Sequence, residues 1–236
     1  MRLLNSGISI TTPTTDLNQT GVSTTTTLTG TITAGSLAQS SAGVQDYTLA
    51  ATDDFTYTHD ANAEINPYQA EIPLAVASIT DQDGVTASTT TQAVATGVEV
   101  RFGRMVIANS FGPETANLAQ PISIEYLNND NFIVNSEDIC SGFNSTKVSL
   151  SSISLAPNGL AAVVSGMFVN GINSSIELKA TGAGNQGQIG VVYDAFSWFE
   201  YDWNGDGSYN NNPDAVATFG LFRGNDRVIY WREVNN

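Results

Sequence analysis

Hydrophobic and polar positions alternate every second residue through much of this chain, most clearly from Val22 to Thr33. There Val22, Thr24, Thr26, Leu28, Gly30 and Ile32 interleave with Ser23, Thr25, Thr27, Thr29, Thr31 and Thr33. Successive strand side chains point to opposite faces, so the pattern predicts a strand with one apolar or methyl-bearing face and one hydroxylated face. β-Branched residues suit such a surface because their restricted χ1 costs little there. The same reasoning predicts strands over Tyr47–Ala50, Ile72–Ile79, Val98–Ala108, Ile122–Leu127, Lys147–Leu155, Leu160–Val164, Ile176–Thr181, Ile189–Tyr193, Trp198–Tyr201, Ala215–Phe222 and Val228–Val234. Between them lie Asp81-Gln82-Asp83-Gly84, Pro157-Asn158-Gly159, Val169-Asn170-Gly171, Gly182-Ala183-Gly184-Asn185 and Arg223-Gly224-Asn225-Asp226, residues that tolerate positive φ and close turns. No stretch of a dozen residues places apolar positions at the 3.6-residue period behind a cap, so long helices are not expected. Many short strands at this spacing imply an all-β fold of antiparallel β-sandwich type. The expectation is an immunoglobulin-like N-terminal part and a second β-rich C-terminal part.

A chain of 236 residues supplies one large β domain or two small ones. The composition shifts near Ala87–Gly97, just before Arg101, and a soft boundary is placed there, with a Thr-rich domain over 1–96 and a second domain over 97–236. No Lys or Arg stands between Leu3 and Val100. The Thr clusters at 11–15, 24–27 and 89–91 keep no fixed period, so no repeat array is inferred.

Charge narrows the function classes. Eight basic against twenty-three acidic residues give a formal net charge of −15, which opposes binding to a phosphate backbone and attraction to anionic lipid. No run approaches the roughly 18 apolar residues of a membrane span. One cysteine, Cys140, cannot form an internal disulfide, and its acidic neighbours Glu137 and Asp138 make it a poor nucleophile, so a buried structural role is expected. The start Met1–Gly7 lacks the apolar run of about 7–15 residues that a secretory signal needs. Either export is absent or the front of the chain is missing.

The most specific local signal is Asp202-Trp203-Asn204-Gly205-Asp206-Gly207-Ser208, with side-chain oxygens at alternate positions and glycine at the sixth, as calcium loops have. Position twelve holds Pro213 where a helix-loop-helix site has Glu, so that class is excluded and Asp214 would complete a variant site. The candidate Ca2+ ligands are Asp202, Asn204, Asp206, Ser208 and Asp214, and the alternative is a tight Asx-rich turn without metal. Trp198, Phe199, Tyr201, Trp203, Tyr209, Tyr230 and Trp231 crowd the last forty residues. Trp203 and Tyr209 are candidate sugar-stacking residues, and the alternative is that the aromatics fill a core. His59 is the single histidine, which removes any two-histidine metal site and leaves a triad only with His59 as base. No Gly-x-Ser-x-Gly element is present, and carboxylates such as Asp53-Asp54 await a fold before glycosidase spacing applies.

Three blocks carry a family resemblance: Val98–Met105 continuing to Ala108-Asn109-Ser110-Phe111-Gly112-Pro113-Glu114; Phe132–Cys140; and Ala217–Val234, which reads Ala-Thr-Phe-Gly-Leu-Phe-Arg-Gly-Asn-Asp-Arg-Val-Ile-Tyr-Trp-Arg-Glu-Val. With Asp81-Gln82-Asp83-Gly84-Val85 they make the region from about Gln45 to Asn236 resemble the C-terminal region of MSHA biogenesis proteins of the MshQ type, associated with mannose-sensitive haemagglutinin type IV pili. The chain then looks like a C-terminal piece or a truncated relative. The resemblance implies a cell-surface or pilus-associated role without catalysis, and it names no ligand residues.

The expected function is therefore a non-enzymatic, exported, extracellular β-sandwich module for pilus biogenesis or cell adhesion, with pilus or other surface proteins, and glycans, as partners. Arg101, Arg104, Arg223, Arg227 and Arg232 are expected to pair with carboxylates rather than capture a ligand. One rival is a calcium-assisted carbohydrate-binding module around Trp198–Asp214. Another is a filament subunit that self-assembles by adding its N-terminal strand to a neighbour's sheet edge, which requires residues 20–33 to be unpaired in their own chain.

Overall fold

The computed structural model describes residues 3–11, 16–17, 28–32, 35–42, 44–58, 63–87, 91–162 and 165–221. The fold is all-β and largely antiparallel. Helical conformation appears as short 3-10 turns such as Ser145–Lys147 and Ser197–Phe199. No helix among the described residues is long and apolar enough to cross a membrane.

The chain divides into two compact units, neither continuous in sequence. The first combines Met1–Arg104, Glu125–Ile133 and Phe196–Asn211; the second combines Met105–Ile124, Val134–Ala195 and Asn212–Asn236. The composition shift alone predicts a single cut near residue 96.

In the first unit the strand Tyr68–Asp81 forms the spine, pairing antiparallel with Leu3–Thr11 on one side and with Thr91–Val100 and Thr86–Ala87 on the other. Its alternation buries Ala70 and Ile72, against which Phe55, Tyr57 and Val100 pack. Phe55 and Tyr57 belong to the strand Asp54–Tyr57, which pairs with Leu28–Thr31, so a second small sheet covers the spine. Buried Asp16 links the two layers: both carboxylate oxygens accept the Glu71 N–H, and Oδ2 also accepts the Tyr57 hydroxyl at 2.5 Å. At the spine's end Asp81 Oδ1 accepts the N–H groups of Asp83 (2.9 Å) and Val85 (2.8 Å), which turns the chain as the Asp-Gln-Asp-Gly motif predicts.

Of the expected strand Val22–Thr33, Leu28–Thr31 is a strand paired within its own chain, and 18–27 and 33–34 lie outside the described residues. Those four residues are therefore paired within their own chain. The stretch Val98–Ala108 is broken at Arg101-Phe102 into Thr91–Val100 and Gly103–Ile107. The expected strand Val228–Val234 lies outside the described residues.

The second unit is built on a four-stranded sheet. Val148–Ser152 pairs antiparallel with Gly187–Tyr193, which pairs antiparallel with Asp214–Phe219; Ser110–Gly112 adds in parallel at the far edge. Alternate residues Ile189, Val191, Ala217 and Phe219 face one side, and Leu118 and Leu178 from the small sheet Leu118–Ala119, Glu177–Leu178 and Leu160–Ala162 close over them. Two sheets facing across an apolar layer bury what one sheet would leave wet. Fully buried Gln120 satisfies its amide by donating to the Ala108 carbonyl and accepting the Ser110 hydroxyl, as a buried polar group must.

Candidate functional site

The stretch expected to form a strand at Trp198–Tyr201 instead makes a 3-10 turn over Ser197–Phe199, closed by the Phe199 N–H donating to the Phe196 carbonyl at 2.8 Å. The tight turn replaces period-two alternation with a different division: Phe199 points inward and is buried, while Trp198 and Phe196 remain exposed. A Cβ on Gly103 would stand 3.2 Å from the Phe199 ring, so glycine there lets the ring seat against the strand backbone.

After the turn, Tyr201 and Asn211 exchange backbone hydrogen bonds, 3.1 and 3.0 Å, and carry the loop between them. Within that loop Asp202 Oδ1 accepts the Asp206 N–H (2.8 Å) and Oδ2 accepts the Gly207 N–H (3.0 Å). Asn204 Oδ1 accepts the Asp206 N–H (3.1 Å), and its Nδ2 donates to Asp206 Oδ2 (3.0 Å). Asp206 Oδ1 accepts the Ser208 N–H at 2.8 Å. Gly205 and Gly207 take φ of 74° and 84°, the left-handed region the turn requires. The Asn204 amide and the Ser208 N–H hold the Asp206 carboxyl below its ordinary range. The structure thus brings Asp202, Asn204, Asp206 and Ser208 together. Asp214 opens the strand Asp214–Phe219 and belongs to the second compact unit. Among the described residues no three His, Cys, Asp or Glu side chains gather as a metal-holding group.

Trp203 and Tyr209, the expected sugar-stacking residues, are half-buried in an aromatic cluster around Arg104. The guanidinium lies 3.6 Å from the Phe132 ring centre, 4.8 Å from Tyr201 and 5.2 Å from Trp203. Its Nε and Nη2 both donate to Glu125 Oε2, at 3.0 and 2.8 Å. Edge contacts of 5.2 Å (Phe132–Tyr201), 5.1 Å (Tyr201–Trp203) and 5.5 Å (Phe102–Tyr209) tie the rings together over buried Ile65, Phe102 and Leu127. Burial, and then donation to Glu64, push the Tyr201 phenol up to about 12, with Arg104 acting in the opposite direction. The Trp203 Nε1–H is buried and finds no acceptor among the described residues.

Arg101 pairs with Glu99 at 2.5 Å and lies 4.4 Å from the centre of the Tyr126 ring. Arg101 and Arg104 are thus both paired with carboxylates; Arg223, Arg227 and Arg232 lie outside the described residues, as does His59. Cys140 is exposed, which corrects the expectation of a buried thiol. Asp138 is the residue buried there, its Oδ1 accepting the Cys140 and Ser141 N–H groups at 3.1 and 2.8 Å, and this turn leaves the thiol outside. Phe196 was not singled out from the sequence. Its role becomes visible through the 3-10 turn, which sets its ring parallel to Trp198, with centroids 4.6 Å apart and 3° between planes.

No curated protein and no solved structure matches the chain. A protein family described as DUF6701, fourth domain, matches residues 101–234, more than half of the sequence, and covers Arg104, Glu125, Phe132 and the whole of the Phe196–Asn211 segment. The chain belongs to this DUF6701 fourth-domain family.

Proposed function

We propose that the chain is a non-enzymatic β-sandwich module displayed outside the cell, serving type IV pilus biogenesis or surface attachment. The observation that carries the module reading is the all-β architecture, in which sheets built from short strands face buried apolar layers. The three MshQ-like blocks support the pilus-associated part. The low content of Lys and Arg and the abundance of Thr, Ser, Asn and Gly suit an extracellular β module.

In the bacterium that encodes the chain, deleting its coding segment is expected to lower surface pili or cell attachment, and fractionation is expected to find the chain with the cell surface. A chain confined to the cytosol, or unchanged pili and attachment, would overturn the proposal.

A second reading, calcium binding, is favoured by the convergence of Asp202, Asn204, Asp206 and Ser208. Calcium takes about six to eight oxygens, so backbone carbonyls and water must complete the set, which suits the weak range of extracellular modules, Kd ~10⁻⁴–10⁻³ M. At about ten to a hundred times that Kd, linkage adds roughly 1.4–2.7 kcal/mol, a rise in melting temperature of about 3–10 °C over the same protein in chelator. Identical melting in calcium and in chelator would remove the ion.

A further inference from the structure

We infer that the stacked pair Phe196–Trp198 is a binding platform for a neutral sugar ring. The inference goes beyond surface display and does not rest on pilus association. Phe196 is 37% and Trp198 52% exposed, although their neighbour Phe199 is buried. The turn that separates them is closed by the Phe199-to-Phe196 hydrogen bond and anchored by the Phe199 ring against Gly103, so the platform is held in place before any ligand arrives. Preorganisation of this kind removes part of the entropy cost of binding.

Size selects the occupant. The two rings leave about 200 Å² to solvent, judged from the 150–250 Å² span of an aromatic side chain. A stable protein partner needs roughly 800 Å² from each side, several times that amount. A flat ligand is left, a base, a proline-rich strand or a sugar. Nucleobases arrive with phosphates, which a net charge of −15 repels. Proline-rich strands dock in aromatic-lined grooves, not on one exposed stack. The C–H face of a sugar ring meets the negative face of an aromatic ring favourably. In the sequence, exposed Ser197 stands between the two aromatics and Glu200 follows the turn. The same acidity that excludes phosphates excludes sialylated and uronic sugars, so the ligand class is neutral.

The test is an array of neutral and sialylated oligosaccharides probed with the full chain, followed by isothermal titration calorimetry with the neutral oligosaccharides that bind. Wild type is expected to bind neutral glycans. Trp198→Ala and Phe196→Ala are expected to lose roughly tenfold or more in affinity, and Trp198→Phe to lose less. Near-UV circular dichroism and melting identify a variant that has failed to fold, and Trp198→Phe then carries the comparison. Wild type binding no neutral glycan, binding sialylated glycans alone, or binding equally well as Trp198→Ala would each overturn the inference. Because the readout is glycan affinity, it stays distinguishable from any failure of the pilus reading.

Discussion

Arg104 offers the sharpest test of how the first unit holds its aromatic loop. Its side chain and that of Glu125 are 20% and 19% exposed, and its guanidinium faces three rings. Arg104→Ala removes the charge-assisted bonds, at ~1.5–3 kcal/mol, and ring contacts of ~0.5–2 kcal/mol. It also leaves the largely covered Glu125 carboxylate without its partner. The expected loss is about 3–5 kcal/mol. At ~2–4 °C per kcal/mol for a chain of this size, melting should fall by roughly 10 °C. Arg104→Lys keeps the charge but cannot present two donors and a flat face together, so it should lose about 1–2 kcal/mol. Glu125→Gln keeps an acceptor and should cost about 1 kcal/mol. Urea unfolding followed by near-UV circular dichroism reads these losses, because the signal comes from the packed rings. A double-mutant cycle between Arg104→Ala and Glu125→Ala should return a coupling of about 1.5–3 kcal/mol. Arg104→Lys indistinguishable from wild type would refute the reasoning, because planar stacking and two-donor geometry would then contribute nothing.

Three further outcomes follow from the same kind of argument. Asp16→Ala strands the Glu71 N–H and the Tyr57 hydroxyl at ~1–3 kcal/mol each; a loss of about 3–5 kcal/mol, with faster hydrogen exchange at Glu71, is expected, and unchanged melting would count against the interlayer role. Gly171 has φ of 71° and a Cβ there would stand 2.5 Å from the Asn135 carbonyl oxygen, so Gly171→Ala should destabilise the second unit by about 2–4 kcal/mol by chemical denaturation, well beyond the ~1–2 kcal/mol of a left-handed alanine. Tyr201, raised to about 12, contributes stability that is complete below the unfolded value near 10 and is lost as pH rises through about 12; Tyr57 is raised further by burial and Asp16, so absorbance titration should show late phenols of which Glu64→Gln moves only that of Tyr201 earlier, and titration of Tyr201 near 10 in the wild type would discard the Glu64 interaction.

Where strand faces are set by local alternation, the sequence was readable. Gly187–Tyr193 buries every second residue, and the Asp81–Val85 turn closes through the Asp side chain its motif supplies. A short strand such as Leu118–Ala119 left no such signal, because two residues show no period and long-range packing makes them a strand. The compact units were not readable either, since each gathers segments far apart in sequence. Arg104 meets Phe132 and Tyr201 through packing between segments, which no local window contains.

The aromatic segment shows how one local choice redistributes function. Read as a strand, Trp198–Tyr201 would alternate and place Trp198 and Glu200 on one face, with Phe199 and Tyr201 on the other. The 3-10 turn keeps Phe199 buried but brings Phe196, two residues upstream, into a parallel stack with Trp198, and leaves Tyr201 free to begin the bridge with Asn211. Trp203 and Tyr209 then fall on the two arms of that bridged loop, Trp203 facing Arg104 and Tyr209 packing on Phe102 and Tyr201, so residues that looked best suited to ligand stacking become part of its packed base. The outermost aromatic surface passes to the residues before the bridge. A substitution that loosened the turn without touching Trp198 should therefore weaken recognition there as well. Gly103→Ala, which crowds Phe199 from beneath, is the substitution placed to do it.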